Sequence, residues 1–350
     1  WITYFLFFWH KALYFDQAGN LIAGHPLIWA DWAAHLTMTT SIIERGIHIG
    51  HPLILGEPFR YPFFTHLISA GLFKTGFPLV YAMIIPSLLS SILLVCCLGW
   101  WFDTLLESKN KATLATSIFL LSGGLGFLYV TDLKSAFGYA TYSEPDGIVF
   151  INTVVGMVIP QKAFALGMSL ALVGLTIVLR WWKNSFHDPQ KRAIQQLALA
   201  GIIFGLLPLI HTHSYLAVGM ILSSWAVISL FYAYMQKRNL TQLIVGWGIV
   251  ALTAMGTSLF SWAVLQTNPL DFILANQNSG PSFFSIQLGW MASNYNLDWF
   301  TFIVKNWGIS IFIAGITTAY VIKKNPNSFF VQQLIITTIP FWLLFFTAHL

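Results

Sequence analysis

Apolar residues in this chain come in blocks of roughly 20, the length a helix needs to cross a bilayer. The blocks fall near 78–102, 112–131, 160–182, 196–210, 214–235, 241–265, 299–322 and 328–350, with the tail of a further one at 1–9. Pro208 and the run His211-Thr212-His213 divide what would otherwise be one overlong helix into the pair 196–210 and 214–235. The pattern predicts an all-α, polytopic transmembrane protein with about nine spans in a single transmembrane domain over 1–350. Three inter-span segments are long enough to do chemistry: 10–77, 132–159 and 266–298. Within the first, residues 30–45 favour helix, with polar Thr positions set against Leu36, Ile42 and Ile43. That composition predicts an amphipathic helix lying along the membrane surface. The chain opens on Trp1-Ile2-Thr3-Tyr4-Phe5 and ends in the apolar run Phe341-Trp342-Leu343-Leu344-Phe345-Phe346, so both ends read as cuts through spans of a longer protein.

Composition strengthens the membrane reading. Hydrophobic residues make up 57% of the chain and charged residues 8%, with a mean hydropathy of +0.71. A soluble domain typically carries about 25% charged residues, so this chain could not cover a water-facing surface. Aromatic residues reach 16%, including 15 Trp, as expected where amphipathic rings line membrane–water interfaces. The two cysteines, Cys96 and Cys97, are adjacent and mid-span, which implies no disulfide framework.

The net charge of +5 does not signal nucleic acid, because the basic residues are scattered through short loops without forming a face or stripe. Their sidedness is informative. If 10–77 is extracytoplasmic, ten basic residues (among them Lys109, Lys111, Arg180, Lys183, Lys237 and Lys323) and three acids fall inside, a net of +7. The outer side then holds seven basic residues and nine acids, a net of −2. This is the positive-inside distribution. The one glycosylation sequon, Asn239-Leu240-Thr241, falls on the inner side. The absence of outer sequons points to a bacterial cell membrane.

The candidate chemistry lies on the outer side. Asp31 and His35 are spaced i, i+4, which places them on one helical face. A positioned carboxylate there can accept the proton of a hydroxyl nucleophile; it can equally cap a helix or pair with a cation. Lys162 follows Pro160-Gln161 at the outer end of a span, and Arg60 lies in the run Phe59-Arg60-Tyr61-Pro62. Both are candidates for a lipid phosphate, with snorkelling as the alternative. Lys305 sits near another outer end and reads as a snorkelling residue. His211 and His213 sit at an outer turn, where they could meet phosphate or sugar oxygens, serve as interfacial polarity or bind a metal. Two histidines fall short of the four ligands of a closed site, so no metal ligand is assigned, although a divalent cation stays open as a cofactor. Glu144-Pro145-Asp146-Gly147 reads as a loop turn.

The first loop resembles the glycosyltransferase C superfamily, whose multi-span enzymes use polyprenyl-phosphate sugars. The matching residues are Trp29-Ala30-Asp31-Trp32 with His35, then Tyr61-Pro62-Phe63, His66-Leu67-Ile68-Ser69-Ala70 and Gly76-Phe77-Pro78; Pro160-Gln161-Lys162-Ala163-Phe164 and His211-Thr212-His213 are similar to later landmarks. The mannosyltransferase branch carries adjacent acids where this chain has Asp31-Trp32. The resemblance implies sugar transfer from a polyprenyl-phosphate donor to a hydroxyl on a glycan, lipid or protein acceptor. Asp31 would be the general base, with His35 orienting Asp31 or contacting the acceptor. Arg60, Tyr61, Gln161, Lys162, His211 and His213 would contact substrate. The competing readings are a transporter or flippase, and a non-catalytic assembly protein that binds lipid-linked sugar.

Overall fold

A computed structural model describes residues 1–24, 29–46, 50–52, 54, 59–129, 146–149, 152–184, 191–237, 240–266, 285–286, 290–324 and 348–349. Gly56-Glu57-Pro58, Glu144-Pro145, Asn239 and residues 328–347 of the last predicted span lie outside them, as does most of the segments 132–159 and 266–298. The described residues are predominantly helical, and five helices are long and apolar enough to cross a membrane. The chain is therefore a helical membrane protein. The five correspond to the apolar blocks at 78–102, 160–182, 196–210, 214–235 and 241–265.

The chain divides into two compact units: residues 1–116, 157–219 and 236–271, and residues 117–156, 220–235 and 272–350. The first begins with α1 (Ile2–Ala12) and an antiparallel pair, β1 (Leu13–Phe15) and β2 (Leu21–Ala23), in register Tyr14 to Ile22. It continues through α2 (Trp29–Arg45), α3 (Phe64–Lys74) and α4 (Leu79–Leu106), followed by α5 (Lys109–Leu121), which runs on into the second unit. After a π turn at Val154–Val158 come α6 (Phe164–Asn184), α7 (Lys191–Ile210), α8 (Thr212–Met235) and α9 (Thr241–Val264). The break between α7 and α8 falls on His211, three residues after Pro208.

Two of these helices turn polar residues inward and large apolar ones outward. Helix α3 buries Thr65, His66, Ser69 and Ala70 while Phe64, Leu67, Ile68 and Phe73 are exposed. Helix α4 buries Ser87, Ser90 and Ser91 and exposes Tyr81, Leu89 and Leu93. In water this arrangement forfeits the hydrophobic drive; in lipid it is the stable one, since apolar side chains face acyl chains and small or polar ones face protein.

Small residues set the helix spacing. A Cβ on Gly201 of α7 would fall on Thr253 Oγ1 of α9, and one on Gly205 would strike Thr257 and the Ala254 carbonyl. Ser261 Oγ donates to the Gly205 carbonyl at 2.6 Å. The i, i+4 glycines thus let α7 and α9 run parallel in close contact. Helix α6 runs antiparallel to α7, with Gly174 against Phe204 and Gly167 against His211. It runs parallel to α4: Lys162 meets Met83 at one end, and Lys183 meets Thr104 and Glu107 at the other.

Two predicted spans differ. The block at 112–131 leaves the α-helix at Leu121 and resumes as a 3-10 turn at Leu125–Tyr129. Gly124 has no room for a Cβ against the Lys305 and Asn306 backbone. The block at 299–322 forms two helices, α10 (Trp299–Trp307) and α11 (Ile309–Lys324), parted at Gly308, whose φ of 55° suits glycine. Asn306 of α10 accepts from the Val149 N–H at 2.7 Å and donates to the Gly147 carbonyl at 2.8 Å. The Lys305 ammonium donates to the Asp146 carbonyl at 2.8 Å, so it clamps this turn rather than snorkelling. In this second unit, Ser285-Ile286 pairs antiparallel with Ala348-His349 as β3 and β4.

Replacing Gly205 with Val should lower the thermal midpoint of the detergent-solubilised protein, with a loss of about 1–3 kcal/mol for overpacking. Gly219→Ala, where a Cβ meets nothing within 4 Å, should leave it unchanged or slightly raised. Equal midpoints for the two variants would contradict the α7–α9 contact.

Candidate functional site

Helix α2 buries Trp32, His35, Met38, Thr39 and Ile42, a spacing that draws one stripe down the helix. The lower part of the stripe, Met38 and Ile42, packs with Phe59, Phe63, Ala70 and Leu265. This settles α2 on the segment before α3 and on the end of α9. The upper part is polar and makes directed bonds.

Three hydrogen bonds tie the first two turns of α2 to the stretch just before α6. Trp32 Nε1 donates to the Ile159 carbonyl at 3.0 Å. Gln161 Nε2 donates to Asp31 Oδ2 at 3.3 Å. The Lys162 backbone N–H donates to His35 Nε2 at 3.4 Å. Trp32 is fully buried beside Trp9 of α1, whose indole N–H donates to Ser91 Oγ of α4 at 3.0 Å. The bonds of Asp31 and His35 run side by side because residues i and i+4 on the helix meet the neighbouring residues Gln161 and Lys162.

Helix α3 supplies the other side. His35 Nδ1 and His66 Nε2 lie 3.0 Å apart, and the Lys162 ammonium donates to Ser69 Oγ at 2.8 Å and to the Met83 carbonyl at 3.1 Å. His66 and Ser69 are spaced i, i+3, so one face of α3 takes both partners. Lys162 thus joins α2 through its backbone, and α3 and α4 through its side chain. It is 2% exposed, and burial pushes its pKa down to about 7. Burial also pushes His35 down to about 4, assisted by the Lys162 charge, and lowers His66, assisted by His35 and Lys162.

Asp31 stands at the edge of this junction. It is partly buried, and loss of water raises its pKa above the ordinary carboxylate value. Gln161 is its hydrogen-bond partner, and among the described residues no basic side chain lies within ion-pairing distance. Tyr61 packs edge-on against His66 at 5.9 Å. Burial raises its phenol pKa, and the negative charge of Asp31 raises it further, which places the two side chains in electrostatic reach.

The structure therefore gathers Asp31, His35, Tyr61, Gln161 and Lys162. His35 is not the partner of Asp31 that its spacing suggested, because both of its ring nitrogens are engaged elsewhere. The Lys162 ammonium points into α3 and α4 rather than towards an open surface. His211 sits at the same end of this unit, its ring edge-on to Phe164 and seated over Gly167, with Nδ1 2.8 Å from Ser214 Oγ. Burial pushes it down to about 4, assisted by His213, whose ring is 5.5 Å away and exposed. Arg60 is exposed, and none of the described bonds draws it into the junction. Among the described residues no group of three or more His, Cys, Asp or Glu could hold a metal ion. The residues that sequence reasoning left without a role are His66 and Ser69, and their signal was a polar i, i+3 pair on a largely apolar helix. The chain matches no family model, no curated protein and no solved structure.

Lys162 gives a pH test. Its folded pKa lies below the ordinary lysine value of about 10.4, so between pH 7 and 10 the unfolded chain holds the extra proton. Stability should therefore rise with pH across that window, by at most about 1.4 kcal/mol per unit. Lys162→Met should flatten the rise in denaturation measurements. A slope unchanged in the variant would place the ammonium in water.

Proposed function

We propose that this protein transfers a sugar from a polyprenyl-phosphate donor to an acceptor hydroxyl at the extracytoplasmic face of a bacterial cell membrane. Asp31 is the general base. The observation that carries this reading is the state of Asp31: a carboxylate partly withdrawn from water, held by one neutral amide and, among the described residues, left without a cation. A structural carboxylate in such a place is normally paired. An unpaired one keeps a free oxygen and a raised basicity, both of which suit proton abstraction.

In the proposed reaction the acceptor oxygen forms a bond to the anomeric carbon as Asp31 takes its proton. The bond from that carbon to the phosphate oxygen breaks, and polyprenyl phosphate leaves. Direct displacement inverts the anomeric centre. With the Lys162 ammonium committed to Ser69 and Met83, the exposed Arg60 and His213 are the groups left for the phosphate. Tyr61, within reach of the Asp31 charge, is placed to orient the acceptor.

One observation favours a second reading. A lysine and two histidines buried beside α3 and α4 resemble the buried ionisable groups of proton-coupled transporters. Movement of a solute across proteoliposomes without covalent change would support that reading.

Asp31→Asn should lower transfer by about 10²–10⁴-fold, the usual contribution of a general base, with normal expression and thermal midpoint. Full activity in that variant, assayed in membranes with a polyprenyl-phosphate sugar, would remove Asp31 from the mechanism.

A further inference from the structure

His35 and His66 bond ring to ring, and the proton count of the pair is constrained. The Lys162 N–H requires a lone pair on His35 Nε2. The His35 proton is then on Nδ1 and donates to His66 Nε2 across 3.0 Å. The His66 proton is left on Nδ1, a buried nitrogen that makes no hydrogen bond among the described residues. One proton on each ring satisfies both bonds that run from Lys162 through His35 to His66. The reverse order, with His35 turned donor towards the Pro160 carbonyl beside it, would leave the Lys162 N–H without its acceptor.

A second proton breaks the chain. On His66 it removes the lone pair that takes the His35 N–H, and the rings rejoin only with His35 reversed, which strands the Lys162 N–H. On His35 it removes the lone pair that takes the Lys162 N–H. In either case it sets a new charge beside the Lys162 ammonium in a water-poor junction. The groups facing the pair offer little compensation. Helix α2 brings Asp31 one turn away, already bonded to Gln161. The segment before α3 brings the Tyr61 phenol, the stretch before α6 brings Lys162, and α4 brings the Met83 carbonyl.

We propose that His35 and His66 are positioning residues for Asp31, which hold the first turns of α2 in place only while each ring carries a single proton. Acid then undocks these turns and takes Asp31 out of register with the stretch before α6. The role in activity rests on the sugar-transfer reading; the undocking does not. The depressed basicity of both rings fits this direction. Undocked rings titrate near the ordinary histidine value of about 6.5, so below it protons favour the undocked form by about tenfold per pH unit for each ring.

Hydrogen exchange of the full chain, followed through residues 29–45 between pH 8 and 5 and corrected for intrinsic rates, tests this. Opening of these turns should rise by up to about a hundredfold per pH unit below about 6.5. In His66→Gln the side-chain oxygen still accepts the His35 proton but does not titrate. That variant should keep wild-type protection at pH 8 and show about a tenfold rise per unit. His66→Leu should lose protection at every pH. The acid limb of sugar transfer should follow the same order, one proton shallower in His66→Gln, with the plateau kcat retained. Exchange that is independent of pH in the wild type, or as steep in His66→Gln as in the wild type, would overturn the proposal. Loss of protection in acid in a protein that transfers no sugar would overturn the transferase reading and leave the undocking standing. Flat exchange in an active protein would do the reverse.

Discussion

Lys162 brings an ammonium into a part of the protein where, among the described residues, only neutral groups receive it. Withdrawing a charge from water costs several kcal/mol even after relaxation, and Ser69 Oγ and the Met83 carbonyl offset only part of that. Much of the surrounding structure follows from this constraint. The ammonium fixes the stretch before α6 against α3 and α4, while the backbone N–H of the same residue fixes α2. Four segments, the stretch before α6 and the helices α2, α3 and α4, thereby meet at one residue. The imidazoles next to it are kept neutral, because each further charge would meet the first at low dielectric.

The inside-out helices explain why such a junction is tolerable. Phe64, Leu67 and Ile68 of α3 turn outward and leave Thr65, His66 and Ser69 facing protein. Facing protein, His66 meets His35 and Ser69 meets the Lys162 ammonium, while Thr65 Oγ1 is buried without a hydrogen bond among the described residues. The opposite end of the same unit uses a cheaper solution. Lys183 and Glu107 form an ion pair at 3.2 Å with Glu107 exposed, and Arg180 lies over the Trp100 ring at 4.9 Å. That end carries the basic residues which the charge pattern assigns to the cytoplasm.

The long spans were legible because apolar length is a one-dimensional property. Where the chain departs from it, the cause is local backbone freedom combined with a distant neighbour: Gly124 yields to the Lys305–Asn306 backbone, and Gly308 takes a positive φ between α10 and α11. The hairpin at β1 and β2 lay hidden in the first loop, since two three-residue strands carry no period to read. Within the site, Asp31 and His35 were visible from their i, i+4 spacing, yet the partner of His35 was not. His66 is 31 residues away, and nothing in either local sequence announces the pairing. The same holds for Lys162: the sequence places it at a helix end, but not the direction of its side chain.

Asp31 is the point at which this arrangement meets solvent and, in the proposed reaction, substrate. Its use as a base depends on its remaining unpaired beside a crowded set of basic groups. Carbon-13 NMR of the aspartate-labelled protein in nanodiscs, with the Asp31 signal identified by its loss in Asp31→Asn, reads that property without any substrate. A carboxyl that titrates above the ordinary aspartate value of about 3.9 is the result predicted. Titration at or below that value would mean that a cation or further donors close over the carboxylate, and would contradict the account.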